Sequence, residues 1–150
     1  MIRLATSADT MKIVGLLRLF LSETSYEQAK DAIDDLENLC KVVWTVHQFG
    51  YIWLAFDQED PVGLLMAVKE PNMWSRNHKQ LRELVWYVRP EYRTSTVGGK
   101  LFLKYCELGD DLMNNNIIEG YFTTRMATSP DINLERRGFR LKEYTYLKER

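Results

Sequence analysis

One passage constrains this chain more than any other: from Leu81 to Leu112 it reads as a strand, an abrupt stop, a polar loop with a glycine pair, and an amphipathic helix. Leu81 to Val88 is rich in aromatic and branched residues, the composition of a strand. Pro90 cannot donate to a ladder and holds Arg89 extended, so the strand is expected to stop near Val88. Val97, Leu101, Tyr105, Leu108 and Leu112 then recur at helical spacing, and the helix should end around Asn114, Asn115 and Asn116. Between them, Arg93-Thr94-Ser95-Thr96-Val97-Gly98-Gly99 places consecutive backbone N–H groups at a helix N-terminus. Unpaired amides and the positive end of the helix dipole suit a phosphate or pyrophosphate, and Arg93 adds a charge beside them. A glycine in a helix start costs about 0.5–1 kcal/mol relative to alanine. Gly98-Gly99 therefore implies either close approach of something to the backbone or tight packing of helix on sheet. A Walker A loop is excluded because Thr94 and Leu101 stand where it needs Gly and Ser or Thr, and no G-x-G-x-x-G run is present.

The rest of the chain builds an α/β domain around that passage. Residues 2–5 read as a strand, and Ser7 as the cap of a helix with Met11, Val14, Leu17 and Leu21 on one face. Ser25 and Gln28 have capping-box form ahead of a second helix marked by Ala29, Ile33, Leu36 and Cys40. Residues 51–56 and 62–68 read as an antiparallel pair joined by DQEDP. Polar composition makes residues 70–80 a long loop, with Met73 and Trp74 as candidate pocket walls. Residues 117–123 predict a further strand, Ser129 caps a short helix to Arg136 that Gly138 ends, and 139–147 alternates as one or two final strands.

Size and composition set the outer bounds. The 150 residues suit one domain, 1–150, and at this length about two-thirds of the unfolded surface is buried on folding. Apolar residues are 45% and charged residues 27%, with no apolar run of bilayer-spanning length, so no membrane association is expected. MIRLATSAD lacks a signal-peptide core, and the two cysteines, Cys40 and Cys106, read as buried free thiols, so a cytoplasmic location is expected. Neither they nor the isolated His47 and His78 have metal-ligand spacing, and no metal is expected. A formal net charge of -1 with dispersed Lys and Arg gives no basic field, which argues against a nucleic-acid partner. Trp44, Trp53 and Trp86 are expected in the core, and Asp31, Asp34, Asp35 and Glu37 form a solvated acidic face.

VRPEYRTSTVGGKLF resembles, in register, the signature of the GCN5-related N-acetyltransferases: a strand ending in a hydrophobic residue, then Pro-x-x-Arg/Gln-Gly-x-Gly-x-Gly/Ala and a helix. The element order over nearly the whole chain is similar, and ERRGF at 135–139 resembles the Gly-Phe ending of that family's last helix. The resemblance implies a single-domain α/β fold: a central mixed, mostly antiparallel sheet of six or seven strands flanked by about four helices. It implies acetyl-CoA as cosubstrate, its pyrophosphate on the amides from about Val97 to Gly99 and on Arg93, within a loop that also includes Thr94, Ser95 and Thr96. Its pantetheine arm would pair along Trp86, Tyr87 and Val88. The acceptor would be a small-molecule amine or a protein amine, and the assembly a monomer or homodimer. Thr94 and Thr96 replace the first two glycines of the signature, and threonine takes positive φ less cheaply.

An alkylammonium is mostly protonated at pH 7, a handicap of about 4–5 kcal/mol for acyl transfer, so a base is needed. The resemblance points to Glu83, at the start of Glu-Leu-Val-Trp-Tyr-Val; the residues alone leave open a solvent-facing ion pair with Arg82 or Lys79. The family's usual acid is a tyrosine four residues before the Gly of Gly-Phe, where this chain has Leu134, and Thr128 replaces a common asparagine. Tyr121, Tyr144 and Tyr146 are substitute candidates, and solvent can also protonate a thiolate of pKa about 8.5. Two rival readings stay open: a catalytically degenerate module that binds CoA or a partner, and an unrelated nucleotide-binding domain.

Overall fold

The computed structural model describes residues 1–24, 27–125 and 132–148, and the side chain of Gln28 is not among them. Five strands lie in sequence order: β1 (Ile2–Leu4), β2 (Gly50–Asp57), β3 (Asp60–Asn72), β4 (Ser75–Val88) and β5 (Gly120–Phe122). The first four pair antiparallel and β5 joins β4 in parallel. Three long helices cover the sheet: α1 (Thr10–Glu23) and α3 (Leu36–Phe49) on one face, α4 (Val97–Asn114) on the other; α2 (Glu27–Lys30) is a single turn. No helix among the described residues is long and apolar enough to cross a membrane.

Two-sided coverage explains the near-continuous apolar runs of the central strands. Ile52, Leu54, Leu64 and Met66 pack under α1 and α3, while Trp53, Ala55, Leu65 and Ala67 pack under α4. Each fully buried aliphatic side chain of this kind stabilises by about 1.5–3 kcal/mol. The helix over the second face comes very close. A Cβ on Gly109 would sit 2.6 Å from the Tyr121 ring, so glycine is required where α4 crosses β5.

Several elements differ from the sequence expectations. Residues 70–80 are not a loop: β3 and β4 run on as a two-stranded ribbon that turns at Met73 and Trp74, which are 82% and 88% exposed. Beyond the helices neither ribbon face is covered, so its residues are polar without being irregular. Instead of one second helix capped near Ser25, the chain forms α2, a 3-10 turn (Asp31–Asp34) and α3, whose first turn is capped by Asp35 accepting from the Asn38 amide at 2.9 Å. Trp44 projects from α3 and is 62% exposed, outside the core. The last strands are also missing: 139–147 is irregular, and Leu141, Tyr144, Tyr146 and Leu147 are exposed. Propensity without a paired neighbour does not make a strand. Among the described residues the sheet has five strands, and the six or seven expected, like the fourth long helix, are not found there. The expected caps Ser25 and Ser129, and Thr128, lie outside the described residues. Gly138 does close the turn before it, at φ 83°.

Ser7 is not the cap of the first helix. Thr6 and Asp9 form a capping box on a 3-10 turn (Ser7–Asp9) that leads into α1. Asp9, 4% exposed, accepts both Arg3 guanidinium bonds at 2.8 and 2.9 Å and the Thr6 amide at 2.9 Å. The Arg3 bond outweighs burial and holds the Asp9 carboxyl well below the usual range. Its stabilisation is present above the ordinary aspartate pKa and is lost as pH falls through the lower folded value. Breaking a fully buried pair costs about 3–5 kcal/mol; because the Arg3 side chain remains 37% exposed, Asp9→Asn should cost about 2 kcal/mol in urea unfolding at pH 7.

Candidate functional site

The strand, stop and helix expected from the sequence are all present, and they meet where β4 loses its neighbour. β4 and β5 pair through Gln80–Gly120, Leu81–Tyr121 and Arg82–Phe122 and then part. Along Glu83 to Val88 only the β3 side of β4 carries a strand partner among the described residues. The register against β3 passes from Ala67–Glu83 to Met66–Val85, which leaves Leu84 as a bulge. The bulge shifts the alternation, so that Leu81, Trp86 and Val88 all pack in the α4-side core while Val85 and Tyr87 turn to the other face.

Glu83 sits at the parting of the strands and is 7% exposed. Its Oε2 accepts from the Thr123 hydroxyl and the Thr124 amide, both at 3.1 Å. Burial pushes its carboxyl above the ordinary value and outweighs those two bonds. The solvent-facing alternative does not occur: Arg82 pairs with Glu70 at 2.7 Å. A buried carboxyl with a raised pKa and one oxygen anchored, bonded to no cation among the described residues, is chemically able to accept a proton.

After Val88, a 3-10 turn (Pro90–Tyr92) carries the chain to the helix. The Ser95 hydroxyl donates to the Tyr92 carbonyl at 2.6 Å and accepts the Val97 amide at 3.2 Å. Thr94 and Thr96 need no left-handed backbone here; Gln58 and Asn116 are the non-glycine residues with positive φ among the described residues. The loop thus accommodates its two threonines by a Ser95-centred turn. The amides of Gly98 and Gly99 donate to no protein group among the described residues, as first-turn helix amides do. A Cβ on Gly99 would meet nothing within 4 Å, and one on Gly98 would make ordinary contacts with Val88 Cγ2 at 3.5 Å and Trp86 Nε1 at 3.9 Å. Packing of helix on sheet does not demand this glycine pair. Trp86 stacks on Phe102 with ring centroids 4.7 Å apart, and its indole nitrogen lies near Gly98.

Arg93 is placed differently from a free phosphate ligand. Its Nε donates to the Val88 carbonyl at 2.9 Å, Nη2 pairs with Glu23 at the end of α1, and the guanidinium lies 5.5 Å above the Tyr87 ring. Tyr87 donates to the same Glu23 carboxylate at 2.6 Å. Burial raises the Glu23 carboxyl, but the bonds from Tyr87 and Arg93 win and hold it below the ordinary value. Sequence reading missed Glu23, Thr123 and Thr124, because their importance comes from contacts tens of residues away.

Leu134 packs in the α4-side core and has no proton to give. Tyr121 donates to Asp110 at 2.8 Å, while Tyr144 and Tyr146 are 74% and 90% exposed in the irregular tail. Surface cavities of about 400 and 360 Å³ lie elsewhere, one beside Phe49, Tyr51 and Lys79, the other beside Phe56, Lys100 and Lys104; neither is lined by Trp74 or Glu83.

No protein-family model matches the sequence, and no curated protein matches it at a significant level. Solved structures do match over essentially the whole chain. A possible acetyltransferase from Clostridium difficile is 21% identical with a TM-score of 0.71, covering 100% of this chain and 96% of that one. A transcriptional regulator from Bacillus halodurans is 15% identical with a TM-score of 0.73, covering 99% and 98%. A predicted acetyltransferase from Clostridium acetobutylicum, solved with acetyl-CoA, is 14% identical with a TM-score of 0.64, covering 99% and 95%. At such identities the likeness is one of fold, and the chain has the fold of the GCN5-related N-acetyltransferases.

Proposed function

We propose that the protein is an N-acetyltransferase that moves an acetyl group from acetyl-CoA to a primary amine. The observation that carries this reading is the edge of β4 between Glu83 and the glycine pair, unpaired among the described residues, with a buried carboxyl at one end and, among the same residues, unbonded helix amides at the other. The residues present suit the cosubstrate. The amides of Gly98 and Gly99 would take the pyrophosphate, and the edge from Trp86 to Val88, free of a strand partner among the described residues, would pair with the pantetheine arm as an added strand does. Arg93, already bonded to Glu23 and Val88, would orient the loop and contribute a partly compensated charge.

In the reaction the amine nitrogen attacks the thioester carbonyl, a C–N bond forms and the C–S bond breaks. Glu83 accepts the amine proton, directly or through water, and solvent protonates the departing thiolate, whose pKa of about 8.5 makes this tolerable. The acceptor is a small-molecule amine or a protein amine, and no metal takes part. The absence of a tyrosine at Leu134 supports one rival, a CoA-binding module without turnover.

Calorimetry separates the ligands. Acetyl-CoA and CoA should bind, and ATP and NAD should not. Binding of ATP without CoA would overturn both the enzyme and the module readings.

A further inference from the structure

We infer that Tyr105 is a positioning residue: its hydroxyl pins β5 to β4 at their last pair and, through β5, fixes the Glu83 carboxylate in the opening beyond it. The inference rests on the proposed role of Glu83 as base. Tyr105 lies on α4 and is fully buried. Its hydroxyl donates to the Phe122 carbonyl and lies 3.3 Å from the Leu81 carbonyl, so one group touches the backbone of both strands. Phe122 pairs with Arg82, and the next residue on each strand, Thr123 and Glu83, begins the opening.

The pin has little freedom. The ring is held between Phe102, at 6.0 Å, and Tyr121, at 5.5 Å and 84°. A buried hydroxyl is costly unless bonded, so this side chain and the two strands specify one another. β5 is three residues long, and few ladder bonds hold it to β4. What it carries matters: Thr123 and Thr124 both bond Oε2 of Glu83, leaving Oε1 turned to no protein donor among the described residues. A shift of β5 would release the anchored oxygen and admit water. Among the described residues, the titratable groups near Glu83 are Tyr105 itself, whose hydroxyl is pushed up first by burial and then by the Glu83 charge, and Arg82, which turns away to Glu70; Cys106 lies against Tyr121.

The test is Tyr105→Phe, which keeps the ring and removes the pin. In the ligand-free protein, side-chain carboxyl NMR should show the Glu83 midpoint falling toward the ordinary carboxylate range. The acid limb of the rate profile should move the same way, and kcat should drop about 10- to 100-fold with acetyl-CoA affinity kept. An unchanged Glu83 midpoint would overturn the inference. Should Tyr105→Phe not fold, Thr123→Val must move the midpoint and Thr123→Ser must restore it, or the inference fails. If Glu83→Gln is fully active while Tyr105→Phe still moves the midpoint, the base reading is wrong and the pin stands.

Discussion

Glu83→Gln is expected to lower kcat by about 10²- to 10⁴-fold while leaving the affinity for acetyl-CoA unchanged. Glutamine keeps an oxygen for Thr123 and Thr124 but cannot take a proton from an ammonium. In the native protein the rate should fall at low pH through a midpoint above the ordinary glutamate value, because burial raises this carboxyl. The variant should lack that limb. The stability sign is the opposite of that for Asp9. A carboxyl raised in the folded state contributes stability that is fully present below the ordinary pKa and lost as pH rises through the folded value. Glu83→Gln should therefore be at least as stable as the native protein at pH 7, by thermal melting, even as its activity is lost. That combination marks a site kept for chemistry at a cost in stability.

The second large effect is at Gly99. Because a Cβ there meets nothing and alanine is the better helix former, Gly99→Ala should stabilise the fold by about 0.5–1 kcal/mol. The same methyl crowds the amide that would face pyrophosphate, and acetyl-CoA affinity should fall about tenfold, equivalent to about 1.4 kcal/mol. Stabilisation without loss of CoA binding would move the pyrophosphate away from this helix start. The adjacent Gly98 offers an internal comparison: its Cβ would make an ordinary contact with Val88, so packing gives no other reason for glycine at either position.

The strand–loop–helix passage was legible in sequence because its signals are local: a proline stop, a glycine pair and helical spacing. Glu83 was legible only as a strand residue beside a resemblance. Its carboxylate is held by Thr123 and Thr124, just past the end of β5, contacts that alternation along β4 does not reveal. Polarity misled at 70–80, where a solvated ribbon resembles a loop, and at Trp44, an aromatic on an exposed helix face. The expected tail strands failed for a further reason. Tyr144 and Tyr146 have strand propensity, but pairing depends on what lies beside them in space, and there they are exposed. Arg93 was expected to face the phosphates, and its engagement by Glu23 was invisible because the partner lies at the far end of α1.

The most direct test of the central claim is thiol release from acetyl-CoA across a panel of polyamines, aminoglycosides, amino acids and peptides, with native protein and Glu83→Gln side by side. Release that requires an amine, and that collapses in the variant while acetyl-CoA still binds, is the predicted result. Tight acetyl-CoA binding with no amine-dependent release, or equal release from both proteins, would contradict it.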